Sequence, residues 1–521
     1  MAALDPRTAK QRLHASGEIA CLDVREHGPY GEGHPLLAVP CPYSRLELAV
    51  GALVPRRNVP ILLVDDGDGV AERASARLSR LGYTQVDWIA GGAPAWSAAG
   101  FTLFKGVNVP SKTLGELVEE TWHVPQVGPD DLERWRAEGR AVRLFDGRPA
   151  SEHAKMTIPG SRCMPNGELA HRWSRAVGAE SGPVVVHCAG RTRSLVGAAG
   201  LMIAGAREVY ALENGTQGWT LSGRDLLHGA RAEPLPPADA QESRRRALAI
   251  AEAHAIPWID RDAAQALARD GGRTTYLFDV RDPDEHRLSP HLAARSAPGG
   301  QLVQATDQWI GVRRARVILA DDTGLRAALA AFWLRQLGYE VSVLPDLPDW
   351  PADWRLDWPD APAAAVPSRI PTVAAAEAVA RARRGEPLLD LRPSPAYRAA
   401  HLEGARWSTR ARLPAVRGAT VMLAGDAPVV ALAAADLREA GAAALLHVEG
   451  DEAAWRGAGL SLAATPQDPS DAEAVDYLFF VHDRHDGNLD AARRYLAWER
   501  GLTAQLDPQE RAAFTLDATR F

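Results

Sequence analysis

The sequence predicts an α/β protein of repeated three-layer units, each with a central, mainly parallel sheet. Three observations carry this. Short apolar runs alternate with amphipathic stretches, as in Ile61-Leu62-Leu63-Val64, then residues 74–78, then Val86-Asp87-Trp88-Ile89. An apolar run ending in Asp-x-Arg occurs four times, at Asp23-Val24-Arg25, Asp146-Gly147-Arg148, Asp279-Val280-Arg281 and Asp390-Leu391-Arg392. The spacing from each of these Asp residues to later landmarks is then held from copy to copy.

The landmarks follow in chain order. A second apolar run ends 42 residues after the Asp in the first three copies, at Asp65, Cys188 and Asp321. In the fourth it ends near Ala424, 34 residues after Asp390, so that copy has lost eight residues between the two strands. Next come Gly91-Gly92-Ala93-Pro94-Ala95-Trp96, Asn214-Gly215-Thr216-Gln217-Gly218-Trp219, Pro348-Asp349-Trp350 and Gly450-Asp451-Glu452-Ala453-Ala454-Trp455. Their tryptophans fall 73, 73, 71 and 65 residues after the respective Asp, and the last figure repeats the deficit. Seams are expected at 101–109, 231–246 and 350–367, where Pro, Gly and charge cluster, and again at Thr465-Pro466-Gln467-Asp468-Pro469. The predicted units are 1–106, 107–228, 229–360 and 361–470. A tail, 471–521, is expected to be helical, notably over 489–501.

Composition narrows the function. With 521 residues, 46% hydrophobic and 24% charged, the chain is read as folded and multidomain. A formal charge of -7 gives no basic field for nucleic acid or an anionic membrane, and no run approaches the apolar length of a bilayer span. The start, Met1-Ala2-Ala3-Leu4-Asp5-Pro6, lacks a basic segment followed by an apolar one, so a cytoplasmic location is expected. Four cysteines, Cys21, Cys41, Cys163 and Cys188, make no disulfide framework and no zinc pattern, which suits a reduced compartment.

Chemistry concentrates at His187-Cys188-Ala189-Gly190-Arg191-Thr192-Arg193-Ser194, entered from Pro183-Val184-Val185-Val186 and followed by residues able to open a helix. A strand that delivers Cys into a Gly/Arg-rich turn before a helix aims backbone N–H groups at the sulfur and favours thiolate over thiol. The alternative role for Cys188 is that of a small buried hydrophobe. Ala189, Gly190, Arg191, Thr192 and Ser194 are expected to cradle a substrate anion, and the charge of Arg191 and Arg193 to favour an anionic ligand over a neutral one. For Arg191 a solvated side chain is the competing reading. Asp146 and Arg148 are expected to pair and support the framework. His187 should face away from Cys188 by strand alternation.

Asp-x-Arg, Cys-x-x-x-x-Arg-Ser and Gly-x-x-x-x-Trp together resemble the rhodanese sulfurtransferases, and the fourfold plan resembles tandem rhodanese-domain proteins of bacteria over roughly nine-tenths of the chain. Ile158-Pro159-Gly160-Ser161 is similar to that family's Gly-His-Ile-Pro-Gly-Ala stretch, with Thr157 where the His usually stands. The resemblance implies that Cys188 is the nucleophile, with Arg193 the loop-closing Arg. Cys188 would take sulfur from thiosulfate or a similar donor and pass it as a persulfide to cyanide or to a small or protein thiol, with no cofactor and no metal. Asp65-Asp66-Gly67-Asp68-Gly69, Asp321-Asp322-Thr323-Gly324 and Ala424-Gly425-Asp426-Ala427 hold no Cys, so the other three units are expected to be catalytically silent. The paired acids suggest solvated turns ahead of a divalent cation site, and His482-Asp483-Arg484-His485-Asp486 a surface turn or packing motif.

Two other classes compete. A cysteine phosphatase or arsenate reductase would place five residues between Cys and Arg, whereas Ala189, Gly190, Arg191 and Thr192 make four, a cradle better sized for sulfur. A mainly non-catalytic scaffold would use the Cys-less copies to bind partners.

Overall fold

A computed structural model of the chain describes residues 2–177, 182–291, 293–347, 350–351, 370–482 and 488–516. Most of the predicted seam at 350–367, the Pro348-Asp349 pair and residues 483–486 of the His/Asp-rich stretch lie outside them.

The second copy shows the plan. Strands Gln126–Val127, Arg143–Asp146, Arg162–Cys163, Val184–His187 and Val209–Leu212 form one sheet in the spatial order first, fifth, fourth, second, third, with every pairing parallel. The first and fourth copies repeat this order, from Ala3–Leu4 to Val86–Ile89 and from Thr372–Val373 to Ala444–Val448. The third keeps four strands, and its first strand is reduced to one bridge between Trp258 and Val343. Crossover helices cover the sheets, as parallel strands require. A short antiparallel pair, His401–Leu402 with Leu462–Ala463, stands apart from them.

The Asp-x-Arg motifs behave identically in all four copies. Each Arg folds back onto the carboxylate two residues before it and reaches a carbonyl eight residues ahead: Arg25 to Gly33 (2.7 Å), Arg148 to Met156 (2.5 Å), Arg281 to Ser289 (2.8 Å) and Arg392 to Ala400 (2.8 Å). The motif ties the end of the second strand to the helix after it, with both charges paired in the interior. The landmark tryptophans are buried and each donates its indole N–H to a nearby carbonyl, of Thr102, Asp225, Pro345 and Glu449 respectively.

Sequence order does not set the grouping of copies. The chain clusters into two compact units, one of Met1–Leu13, Ala20–Val107 and Ala361–Val481, the other of His14–Ile19, Asn108–Asp360 and His482–Phe521. The first unit therefore combines the first and fourth copies, joined at the buried Arg410, which meets Glu47 (2.5 Å) and Asp436 (2.8 Å). The second combines the second and third. There the buried Arg326 bonds to Glu168 (2.9 Å) and Glu285 (2.5 Å), while Gly167 and Gly300 approach so closely that a Cβ on Gly167 would stand 2.8 Å from the other backbone. The tail is shared between the units, and its helix Leu489–Arg500 packs in the second.

Candidate active site

Val184–His187 is buried along its whole length, and each of its three valines contributes about 1.5–3 kcal/mol by leaving water. It ends at Cys188, which is 3% exposed, and six residues later Ser194 donates its hydroxyl to the Cys188 Sγ at 3.1 Å. The helix Thr192–Ile203 starts between them. The backbone N–H groups of residues 189–193 find no acceptor among the described residues, so the head of this helix presents free donors in the cysteine's own turn.

The landmark at 214–219 holds that turn in place. The N–H groups of Thr216 and Gln217 donate to the carbonyls of Cys188 (2.8 Å) and Ala189 (3.1 Å), and the Gln217 side-chain amide also reaches Ala189 (3.1 Å). With these carbonyls drawn to one side, the loop amides are left for a ligand. Gly215 adopts φ +53°, and a Cβ there would stand 2.2 Å from the Cys188 carbonyl oxygen. On the opposite side Asn166 donates to the Arg193 carbonyl (2.8 Å), and Gly115 lets the helix Val109–Trp122 come close to Thr192.

Both loop guanidiniums are committed to carboxylates. Arg193 is bidentate to Glu152 (2.6 and 2.7 Å) and Arg191 bidentate to Glu116 (2.8 and 3.0 Å), with Glu119 3.7 Å from Arg191. Burial works against the charge of Arg193, and Glu152 together with the Cys188 sulfur outweighs it, which ties this residue electrostatically to the cysteine. Arg191 is thus neither a solvated side chain nor a free clamp, because the buried carboxylate of Glu116 on the helix Val109–Trp122 holds it.

Asp146 is a structural node. Its carboxylate accepts from Arg148 (2.8 and 2.7 Å), His153 (3.0 Å) and Thr157 (3.0 Å). Burial raises its pKa, but the neighbouring His187 and the bonds from Arg148 and His153 hold the carboxyl far below the usual range. His187 bonds to Ser161 through Nε2 (2.7 Å), and burial pushes its pKa down to about 4. The neutral ring is tied to Ser161 and is not positioned as a base for Cys188. Cys163 is equally inert, its thiol pushed up to about 12 by burial.

At the positions spaced like Cys188, the first and third copies carry an aspartate, and the fourth carries Ala424. Asp65 accepts the N–H groups of Gly67 (2.9 Å) and Ala71 (3.0 Å), and Asp321 those of Gly324 and Arg326 (3.0 Å to the latter). These carboxylates fill the head of the following helix, and the paired-acid loops are helix caps. Among the described residues no group of three His, Cys, Asp or Glu side chains is arranged to hold a metal ion.

Several residues in this site carry no signal of their own in the sequence. Glu116, Glu152 and Asn166 come from separate helices. Glu499 comes from the tail helix Leu489–Arg500, where it accepts a hydrogen bond from the Thr192 hydroxyl at 2.7 Å. Gly215 and Gln217 lie within a repeated landmark, so a signal for them was present.

The rhodanese-like domain family matches residues 5–99 and 128–222. A thiosulfate sulfurtransferase from Pseudomonas aeruginosa, known from its crystal structure, is 34% identical, covers 99% of this chain and 100% of its own, and superimposes with a TM-score of 0.88. This chain belongs to the rhodanese-like sulfurtransferase family. The Alr3790 protein of Anabaena sp. matches at 26% identity over 20% of this chain and 93% of its own, with a TM-score of 0.19. A Rhodopseudomonas palustris protein of unknown function, described as a possible tyrosine phosphatase, matches at 21% identity over 22% of this chain and 93% of its own, with a TM-score of 0.20. No curated protein matches the chain. No helix among the described residues is long and apolar enough to cross a membrane.

Proposed function

We propose that this rhodanese-like chain is a sulfurtransferase that moves sulfane sulfur from thiosulfate or a similar donor to a thiophilic acceptor, cyanide or a small or protein thiol, through a persulfide on Cys188. One observation carries the reading: the Cys188 sulfur accepts the Ser194 hydroxyl in a turn whose five following amides are free at the head of a helix. In the first step the thiolate attacks the outer sulfur of the donor, the S–S bond of the donor breaks and the remainder leaves with the electron pair. In the second, the acceptor attacks the outer sulfur of the persulfide and restores the thiolate. The free amides stabilise the anionic persulfide, and Arg193, oriented by Glu152, adds a fixed positive charge. Neither step requires a metal or an organic cofactor. Ala189, Gly190, Thr192 and Ser194 form the cradle, and Asp146 with Arg148 supports it.

The copies at 1–106, 229–360 and 361–470 are proposed to be silent, with Asp65 and Asp321 standing where the nucleophile would be. Four residues between Cys188 and Arg193, against five in phosphatases, favour sulfur over phosphate.

Cys188→Ser is expected to abolish thiosulfate-to-cyanide transfer with the thermal unfolding temperature unchanged. Incubation of the wild type with a sulfane donor should add one sulfur atom to the Cys188 peptide in the mass spectrum. Turnover of p-nitrophenyl phosphate with no sulfur adduct would transfer the assignment to a phosphatase.

A further inference from the structure

Each side-chain donor in the catalytic turn is already engaged. Arg191 is held by Glu116, Arg193 by Glu152, Thr192 by Glu499 and Ser194 by the Cys188 sulfur itself. Four carboxylates, Glu116, Glu119, Glu152 and Glu499, therefore face the two guanidiniums of the loop. A third cation, Lys112, lies over the rings of Tyr495 and Trp498 on the tail helix, at 5.7 and 5.2 Å. Burial pushes the carboxyl of Glu116 up, and Glu499 and Glu119 push it the same way against Arg191, as expected where three carboxylates crowd one guanidinium.

Glu499 is the informative member. It is 2% exposed, one oxygen takes the Thr192 hydroxyl, and the other, Oε2, has no hydrogen-bond partner among the described residues. That free oxygen lies 2.9 Å from where a Cβ on Gly190 would stand, against the backbone of the turn itself. An unpaired buried carboxylate oxygen there is costly to the fold and repels any anion brought to the loop. Thiosulfate is a dianion whose three sulfonate oxygens need donors, and the turn has its amides alone to offer. A persulfide brings one charge at most on its transferable sulfur and needs far fewer.

We propose that Glu499, delivered by the C-terminal helix, is a specificity-determining residue that makes this site prefer an organic persulfide to thiosulfate as sulfur donor. The inference rests on the sulfurtransferase reading above and replaces the expectation that loop charge favours an anionic ligand such as thiosulfate. In the step it describes, the Cys188 thiolate forms a bond to the outer sulfur of R–S–SH and the donor's S–S bond breaks. The thiolate R–S⁻ leaves with the electron pair, and the proton stays on the transferred sulfur.

The test compares formation of the Cys188 sulfur adduct in the full chain with two donors, thiosulfate and the persulfide of 2-mercaptoethanol, which carries no other charge. Wild type should react faster with the persulfide. Glu499→Gln, which keeps an acceptor for Thr192 and removes the charge, should speed reaction with thiosulfate about tenfold and change the persulfide rate less than about twofold. Glu499→Asp, which keeps the charge, should retain wild-type discrimination. If Glu499→Gln unfolds at a lower temperature, Glu119→Gln, which removes a more exposed charge of the same group, should shift the thiosulfate rate in the same direction by about threefold. A wild type that favours thiosulfate, or charge-removing variants that leave its rate unchanged or slow both donors in parallel, would overturn the inference. An absence of adduct with either donor would instead remove the sulfurtransferase reading beneath it.

Discussion

Cys188 draws its surroundings from residues that are small as much as from residues that are reactive. Gly215 shows this most directly, since its φ is +53° and a Cβ there would meet the Cys188 carbonyl at 2.2 Å. Gly215→Ala is therefore expected to displace the turn, cut sulfur transfer at least about tenfold and cost about 1–3 kcal/mol in chemical denaturation. Gly205→Ala is the matched control, with φ +89° and open space around it, so it carries the backbone strain without the clash. Equal losses of activity in the two variants would show that close approach at residue 215 is not what shapes the site. At this scale the sequence marked Cys188, Arg193 and the Gly/Trp landmark, because each sits in a motif of fixed spacing. It did not mark Glu116, Glu152 or Glu499, which are ordinary helical glutamates until folding brings them to the loop.

Elements repeat more faithfully than side chains do. In the first three copies the landmark segment donates an N–H to the carbonyl of the residue spaced like Cys188: Ala93 to Asp65 (2.8 Å), Thr216 to Cys188 (2.8 Å) and Leu347 to Asp321 (2.9 Å). The strand, turn and helix are thus repeated as geometry, while the residue in the turn differs, an aspartate that accepts helix amides in the first and third copies and a cysteine in the second. Asp65→Ala strips the acceptor from the amides of Gly67 and Ala71 and should destabilise the unit that contains it by about 1–2 kcal/mol. Sulfur transfer, measured on the same preparation, should stay at the wild-type level, since Cys188 belongs to the other compact unit. A large loss of transfer would mean that the first copy takes part in the reaction.

For the whole molecule, buried histidines set a direction for acid sensitivity. Burial pushes both His171 and His187 down to about 4, against about 6.5 in an unfolded chain. The unfolded state takes up protons below about pH 6.5 that the folded state refuses until about pH 4, so these two rings favour unfolding progressively across that window. Replacing His187 with Gln should recover about 2 kcal/mol of the stability lost between pH 7.5 and pH 5, read from urea midpoints. An unchanged loss would place the proton uptake elsewhere. The sequence by itself determined the fourfold plan, the parallel α/β class, the Asp-x-Arg ties and the placing of Cys188 at the end of a strand ahead of a helix, since all of these follow from local pattern and constant spacing. Only the tertiary structure decided that the first copy joins the fourth and the second joins the third. It alone brought a helix from the end of the chain against the Cys188 turn. It also decided that both loop arginines are spoken for. Pairing between residues as distant as Thr192 and Glu499 has no local signature, because the free energy that joins them comes from burial of whole elements rather than from any short motif.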